Sequence, residues 1–262
     1  MYIEVIELLI IVVGFFLGIL VLLLFMFIEA RKNRLTKHHI EFNTFPKSVG
    51  SLSIFFISDI HRRRISTRLL EKIPEKVDLV IIGGDLTESG VPFSRVEENI
   101  KLLRKLGPTF FVFGNNDYEV GKNELEALLL KNNITILNNS STSFTSANGE
   151  KIALVGVEDT SKRRDKLHHA LEHTSPSEFK ILISHNPDIQ KKVHPKDGIS
   201  IILSGHTHGG QIRFLGLGLY EKGKLHYLEN TVLLVSNGYG TTSLPLRLGA
   251  PAEANYLVLS SK

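Results

Sequence analysis

Five short clusters of the 262-residue chain carry side chains able to do chemistry. They are Asp59-Ile60-His61, Gly84-Asp85, Gly114-Asn115-Asn116-Asp117, a lone His185, and Gly205-His206-Thr207-His208. Carboxylate and amide oxygens mixed with imidazole nitrogens suit divalent ions such as Mn, Fe, Zn or Ni. The donors exceed one tetrahedral shell, which points to two ions. Taken singly, each cluster has an ordinary reading: an Asp after Gly forms turns, Asn-Asn-Asp is loop, and a His pair sits on a surface. Their joint occurrence carries the argument. The chain has no Cys, which excludes a disulfide framework, a Cys-ligated zinc and a thiol nucleophile. Neither a Gly-x-Ser-x-Gly elbow nor a Walker-type phosphate loop occurs in the chain.

The elements that must position these residues follow an α/β grammar, with short apolar runs alternating with helix-like stretches. The strand candidates are Leu52–Ser58, Asp78–Gly83, Thr109–Gly114, Lys151–Val157, Phe179–Ser184, Ile199–Ser204, Val232–Ser236 and Tyr256–Ser260. Helices are expected at Thr67–Ile73, Ser94–Leu106 and Asn123–Lys131, the last capped by Asn123, with a turn-rich hairpin connection over Asn138–Glu150. In an open α/β sheet ligands gather at the carboxyl ends of strands. Five of the runs end in one of the donor clusters. Alternate residues of an extended segment point the same way, so Asp59 with His61, and His206 with His208, should each aim at one volume.

An uncharged apolar run from Leu8 to Ile28, 21 residues long, matches the roughly 20 needed to cross a bilayer core as a helix. Only Glu4 and Glu7 precede it and no small-residue cleavage site follows, so it reads as an uncleaved anchor rather than a signal peptide. Arg31, Lys32, Arg34 and Lys37 come next, and cations flanking a span stay on the cytoplasmic side. The expected organisation is an anchor over residues 1–30, a basic juxtamembrane linker over 31–51, and one domain over 52–262 facing the cytoplasm from the cell membrane. The first 30 residues hold three acids and no Lys or Arg, so the remainder carries all 31 cations against 24 acids, a net +7.

In order and spacing the five clusters resemble those of the calcineurin-like metallophosphoesterase superfamily: Asp-x-His, Gly-Asp, Gly-Asn-His-Asp/Glu, a lone His, and Gly-His-x-His. The later segments, Gly205–Gln211, Gly238–Thr242 and Leu244–Arg247, look like its membrane-associated bacterial phosphodiesterase branch. The resemblance implies a four-layer α/β/β/α sandwich with a bimetal centre behind the anchor. Asp59, His61 and His208 would hold one ion, Asn115, His185 and His206 the other, and Asp85 would bridge them. Two cations would lower the pKa of a shared water, making a nucleophile for phosphorus near neutral pH.

The chain departs from the pattern at Asn116, where most relatives carry a His that assists the leaving group, with the following acid, here Asp117, orienting it. Asn cannot act as an acid, which shifts the expected substrate from simple monoesters to diesters or pyrophosphates. Arg62-Arg63-Arg64, and likewise Lys162-Arg163-Arg164, could grip substrate phosphates or form a solvated or lipid-facing surface. Beside a bilayer, such cations would suit an anionic lipid head group or a lipid-linked diphosphate, with a nucleotide as the other substrate class. His38, His39, His168, His169, His173, His194 and His226 match no motif and read as surface groups. Arg247 and Glu253 could orient loops, an ion pair between them being the simpler reading. Two alternatives stand beside the main one. One is a nucleic-acid phosphodiesterase, disfavoured because no aromatic-interleaved basic stripe occurs. The other is a metal-binding membrane scaffold that has lost turnover.

Overall fold

A computed structural model describes residues 2–74 and 77–262. It opens with helix α1, Tyr2–Ala30, whose 18-residue apolar window has a mean hydropathy of 3.3 and no buried residue. At 1.5 Å per residue the helix is about 43 Å long, more than a ~30 Å hydrocarbon core. It is thus long and apolar enough to cross a membrane. It extends beyond the expected Leu8–Ile28 at both ends, and only Met26, Glu29 and Ala30 are buried.

Two six-stranded sheets follow. The first contains β1 (Arg34–Phe42), β2 (Ser51–Ile57), β3 (Leu79–Ile82), β4 (Thr109–Phe111), β5 (Thr135–Ile136) and the last strand of the chain, β12 (Glu253–Ser261), in the order β1-β12-β2-β3-β4-β5. The second contains β6 (Ser140–Thr145), β7 (Lys151–Gly156), β8 (Phe179–Ile183), β9 (Ile199–Ser204), β10 (Lys224–Tyr227) and β11 (Val232–Val235), ordered β10-β11-β9-β8-β7-β6. The pairs among β2, β3, β4 and β5, and among β7, β8, β9 and β11, are parallel.

One apolar cluster joins the facing surfaces of the two sheets, taking Ile54, Phe56 and Ile81 from the first and Leu154, Ile181 and Leu203 from the second. Outside the first sheet, Val80, Ile82 and Phe111 pack under helices α2 (Thr67–Leu70), α3 (Phe93–Arg104) and α4 (Lys122–Lys131). Beyond the second sheet, Ala153, Val155 and Leu182 pack against Leu167 and Ala170 of α5 (Leu167–Leu171). The architecture is therefore the expected α/β/β/α sandwich. Alternate residues of the parallel strands serve opposite faces, so both faces are apolar and the strands read as continuous hydrophobic runs.

Several expectations are corrected. The segment expected as a basic linker contains β1, which runs parallel to β12 with Arg34 opposite Glu253 and Phe42 opposite Ser261. Its polar, half-exposed sequence hides an edge strand because its partner lies more than 200 residues away. The hairpin expected over Asn138–Glu150 is present, and its first arm is a full strand, β6, antiparallel to β7. Asn123 does not cap α4; Gly121, at φ 91°, takes that place. The helix expected at Thr67–Ile73 is only the single turn of α2.

Arg63 fastens α1 to the domain. Its guanidinium donates to the carbonyl oxygens of Arg31 (2.6 Å), Lys32 (3.0 Å), Ala30 (3.3 Å) and Tyr239 (2.6 Å), and to Asn33 Oδ1 (2.9 Å). It also stacks 3.7 Å over the Tyr239 ring. The fork geometry is specific to guanidinium. Arg63→Ala is expected to destabilise the full chain by about 1–3 kcal/mol, the range for losing hydrogen bonds made by a charged, half-buried group. Chemical denaturation in detergent micelles should show Arg63→Lys recovering less than half of that loss.

Candidate metal centre

The carboxyl ends of β2, β3 and β4 in one sheet and of β8 and β9 in the other meet along one edge of the sandwich. The connecting loops are knitted together by backbone bonds. Asp59 N donates to Gly84 O (3.0 Å), Ile60 N to Asp85 O (2.8 Å), and Gly205 N to His185 O (2.9 Å). His206 N donates to Asp59 Oδ1 at 3.0 Å, tying the β9 loop of the second sheet to the β2 loop of the first.

Within this edge Asp59, His61 and His208 form one group of donor atoms, and Asp59, Asp85 and His185 form another, each within 4.8 Å and each buried. His61 Nε2 and His208 Nε2 are 3.1 Å apart. Two ring nitrogens this close share one proton or one cation. His185 Nε2 lies 3.2 Å from Asp85 Oδ2 and 3.2 Å from His206 Nδ1. Asn115 Nδ2 donates to Asn116 Oδ1 at 2.7 Å, and the other end of the same amide, Asn115 Oδ1, is buried with no hydrogen-bond partner. An orphaned buried acceptor is costly, and a cation beside it would satisfy it. Hard oxygens with imidazoles, a stranded amide oxygen and two clustered carboxylates fit divalent ions.

The backbone explains how these donors are brought together. Asp59, His61, Asp85, His206 and His208 all have positive φ, between 50° and 71°. Alternation along extended segments, the expected device, is not used. The paired residues converge because each turns through the left-handed region, a strained conformation that concentrates at functional sites. Two glycines let the loops close. A Cβ on Gly84 would stand 2.6 Å from His185 Nδ1, and one on Gly114 2.2 Å from Asp85 Oδ1.

The electrostatics divide the imidazoles. Burial pulls His208 down to about 3 against the attraction of Asp59, and burial together with the charge on His185 lowers His206. Both are neutral and ready to ligate. Burial also opposes a charge on His185, yet Asp85 and Asp59 outweigh it and push His185 up to about 10. His61 is raised as well: burial is overcome by its hydrogen bond to Glu88 and by the Asp85 and Asp59 charges. For Asp85, burial is overcome chiefly by His185, which holds the carboxyl well below the usual range.

Of the other expected site residues, Asn116 lines the cavity, its Nδ2 donating to Glu119 Oε1 at 2.7 Å. Asp117 does not. Fully buried, it accepts from the backbone amides of Asp85 (2.8 Å), Gly114 (2.9 Å) and Thr87 (3.1 Å), so it fixes the β3 and β4 loops rather than the leaving-group side. Burial and then the Asp85 charge push its carboxyl up to about 7. The arginines expected to hold phosphate are engaged elsewhere: Arg62 pairs with Glu88, Arg64 with Glu98, and Arg63 with the end of α1. Neither they nor Lys162, Arg163 and Arg164 line the cavity at the centre; Arg164 lies over the Tyr118 ring at 4.2 Å.

Two further residues support the candidate ligands, and only Arg247 was among the expected ones. Glu88 holds His61 Nδ1 at 2.9 Å, and its position three residues after Asp85 is the signal that could have marked it. Arg247 is completely buried, with Nη2 3.2 Å from His208 Nδ1 and 2.6 Å from Asn237 O, and Nη1 2.9 Å from Ala250 O. Burial lowers it to about 10, which leaves it charged at neutral pH. It orients the loops, while Glu253 instead accepts from Asn237 Nδ2 (2.9 Å) and Thr36 Oγ1 (2.7 Å).

The calcineurin-like phosphoesterase family model matches residues 52–210. The chain belongs to the calcineurin-like metallophosphoesterase family. It is a metal-dependent phosphoester hydrolase, and its family's active centre is dinuclear. It is 48% identical over 228 residues to YpbG of Bacillus subtilis, covering 85% of this chain and 88% of that protein. The phosphodiesterase YaeI of Escherichia coli is 34% identical over 190 residues, 68% of each chain. A transmembrane protein with a metallophosphoesterase domain from Bos taurus is 33% identical over 246 residues, 82% of this chain and 54% of its own length. The 5'-nucleotidase precursor of Thermus thermophilus superposes with a TM-score of 0.50 at 12% identity, covering 80% of this chain and 54% of that one, a likeness of fold alone.

Glu88→Ala is expected to weaken Mn²⁺ binding by about 10–100-fold, the usual cost of losing a group that orients a ligating His. Calorimetric titration of the full-length protein in micelles measures it. Mn²⁺ must also displace a proton from His185, whose folded pKa of about 10 lies above its ordinary value. In the metal-free protein the stabilisation from the His185–Asp85 pair is fully present below about pH 6.5 and fades as pH rises through about 10. Metal uptake near pH 8 should accordingly release about one proton or more, seen as a dependence of the heat on buffer ionisation enthalpy.

Proposed function

We propose that this metallophosphoesterase is anchored in the cell membrane by α1 and hydrolyses a phosphodiester or pyrophosphate bond at a centre of two divalent ions, with its domain on the cytoplasmic side. Asp59, His61 and His208 would hold one ion, Asn115, His185 and His206 the second, and Asp85 would lie between them. The observation that carries the reading is the convergence of Asp59, His61, Asp85, His185 and His208 from two sheets, beside a cavity of about 420 Å³ that Asp85, Asn115, His206 and His208 line. When bound, the ions would supply a water of lowered pKa and charge compensation for phosphoryl oxygens.

The chain's own groups divide the remaining work. Glu88 and Arg247 fix the rings of His61 and His208. Asp117 holds the Asp85 and Gly114 loops at hydrogen-bond distance. Asn116 stands in the cavity where a proton donor would serve a poor leaving group; its amide can hydrogen-bond to a phosphate or leaving oxygen but cannot protonate it. That supports pyrophosphates and diesters with a stabilised leaving group, which need less proton donation. The relation to YaeI, named a phosphodiesterase, supports the same choice. Arg31, Lys32, Arg34 and Lys37 at the end of α1 support a cytoplasmic domain.

Full-length protein in micelles should hydrolyse bis-p-nitrophenyl phosphate in a Mn²⁺-dependent reaction, with a higher kcat/KM than on p-nitrophenyl phosphate. Asp85→Asn should lower it by about 100-fold or more, at least matching the upper cost of disturbing a ligand's support. A clear preference for the monoester would overturn the diester reading. Protection of Lys262 from protease added outside intact cells checks the sidedness.

A further inference from the structure

Beside the metal centre, the chain between Gln211 and Glu221 builds a loop whose tip is apolar and exposed. Leu215, Leu217 and Leu219 are 86%, 78% and 92% exposed, with Phe214 beside them. The loop has defined internal bonding. Leu217 N donates to Phe214 O at 2.9 Å, closing a turn whose central residues, Leu215 and Gly216, have φ 49° and 82°. Arg213 fastens its base, donating to the carbonyls of Gly216 (2.5 Å), Tyr220 and Gly209. A turn needing positive φ at both central residues favours Asn and Gly. Leucine here accepts backbone strain and full exposure together, and folding supplies no reason for either. Contiguous exposed apolar groups on a built loop mark an interaction surface.

The position of α1 says what covers this surface. Arg247 N donates to Met26 O at 3.0 Å, and the next residue, Leu248, accepts from Arg213 N at 2.8 Å and donates to Gln211 O at 2.9 Å. The base of the loop is thus two backbone contacts away from the end of the apolar helix. Met26 is two residues, about 3 Å, inside the end of the uncharged run. Leu244, also exposed, is held by Gln211 Nε2 at 3.0 Å and, with Ile212, Leu219 and Tyr220, lines the cavity that holds Asp85 and His206.

We infer that the Phe214–Leu219 tip, with Leu244, is a second bilayer contact. It enters the same leaflet as the end of α1 and sets the mouth of the metal centre against the membrane surface. The inference rests on α1 spanning the bilayer. A single span fixes the height of a domain but leaves its tilt free; a second apolar contact beside the cavity fixes which face meets the lipid. An amphipathic helix or loop binds in this way in proportion to the apolar area it inserts.

The chain has no Trp, so one substitution creates a unique fluorophore. Leu217→Trp, Val13→Trp on α1 and Leu130→Trp on α4, all at exposed positions, are to be compared as full-length protein in nanodiscs of phosphatidylcholine and phosphatidylglycerol, with and without lipids brominated near the head of the acyl chain. The expected result is a blue-shifted emission and loss of intensity to bromine at Leu217→Trp and Val13→Trp, with neither at Leu130→Trp. Quenching at Val13→Trp without quenching at Leu217→Trp overturns the second contact and leaves the anchor standing. Absence of quenching at both overturns the anchor and the contact with it. Equal quenching at Leu130→Trp also overturns the inference, because contact would then not be specific to the loop.

Discussion

Asp59 and Asp85 are buried carboxylates aimed at one volume, so the desolvation and mutual repulsion of their charges must be offset by cations or by donors fixed around them. Much of the surrounding structure answers to that requirement. Protons on His185 and His61 serve it in the metal-free protein, and divalent ions would serve it better, with two charges each and no steric demand for a ring. Buried donors can be brought so close only if neighbouring loops pass within van der Waals contact. That is why Gly84 and Gly114 stand where a Cβ would strike His185 or Asp85, and why five of the donor residues occupy left-handed backbone. Strain of this kind persists only where the surroundings over-determine it. Here the two-sheet sandwich does so, because its apolar interior fixes the strand ends from which the loops start.

A second layer of buried polar groups carries the constraint outwards. Asp117 ties three backbone amides, Glu88 orients His61, and Arg247 reaches His208 and the carbonyls of Asn237 and Ala250. Arg247 also marks where the site meets the helix, because its backbone amide binds the carbonyl of Met26 while its side chain supports a candidate ligand. Arg63 repeats the pattern one turn further along α1, joining Ala30, Arg31 and Tyr239. Helix and centre are therefore mechanically continuous, and a change in the seating of α1 would be felt at His208 through a single residue.

Much was legible in the sequence because its signals are local. The apolar runs of β2, β3, β4, β8 and β9 announce strands buried on both faces, and the donor clusters at their ends name the candidate ligands in chain order. Other features depended on partners distant in sequence. β1 looks like a linker because its pairing with β12 is made by backbone groups that leave no mark on side-chain type. The arginines after His61 look like phosphate ligands because charge runs carry no address; Glu88, Glu98 and the end of α1 claim them. Asp117 looks catalytic by its neighbours but is turned away by three amides that want an acceptor.

By itself the sequence determined the chemical inventory: a spanning-length apolar helix, an alternating α/β chain, and oxygen and imidazole donors without thiols. These are properties of residue type and spacing, fixed before any folding. Tertiary structure decided which donors share a volume, which cations are free to meet a substrate, and how the helix is seated against the centre. Those depend on distances between segments that lie apart in the chain, set by sheet register and core packing, and no local pattern encodes them.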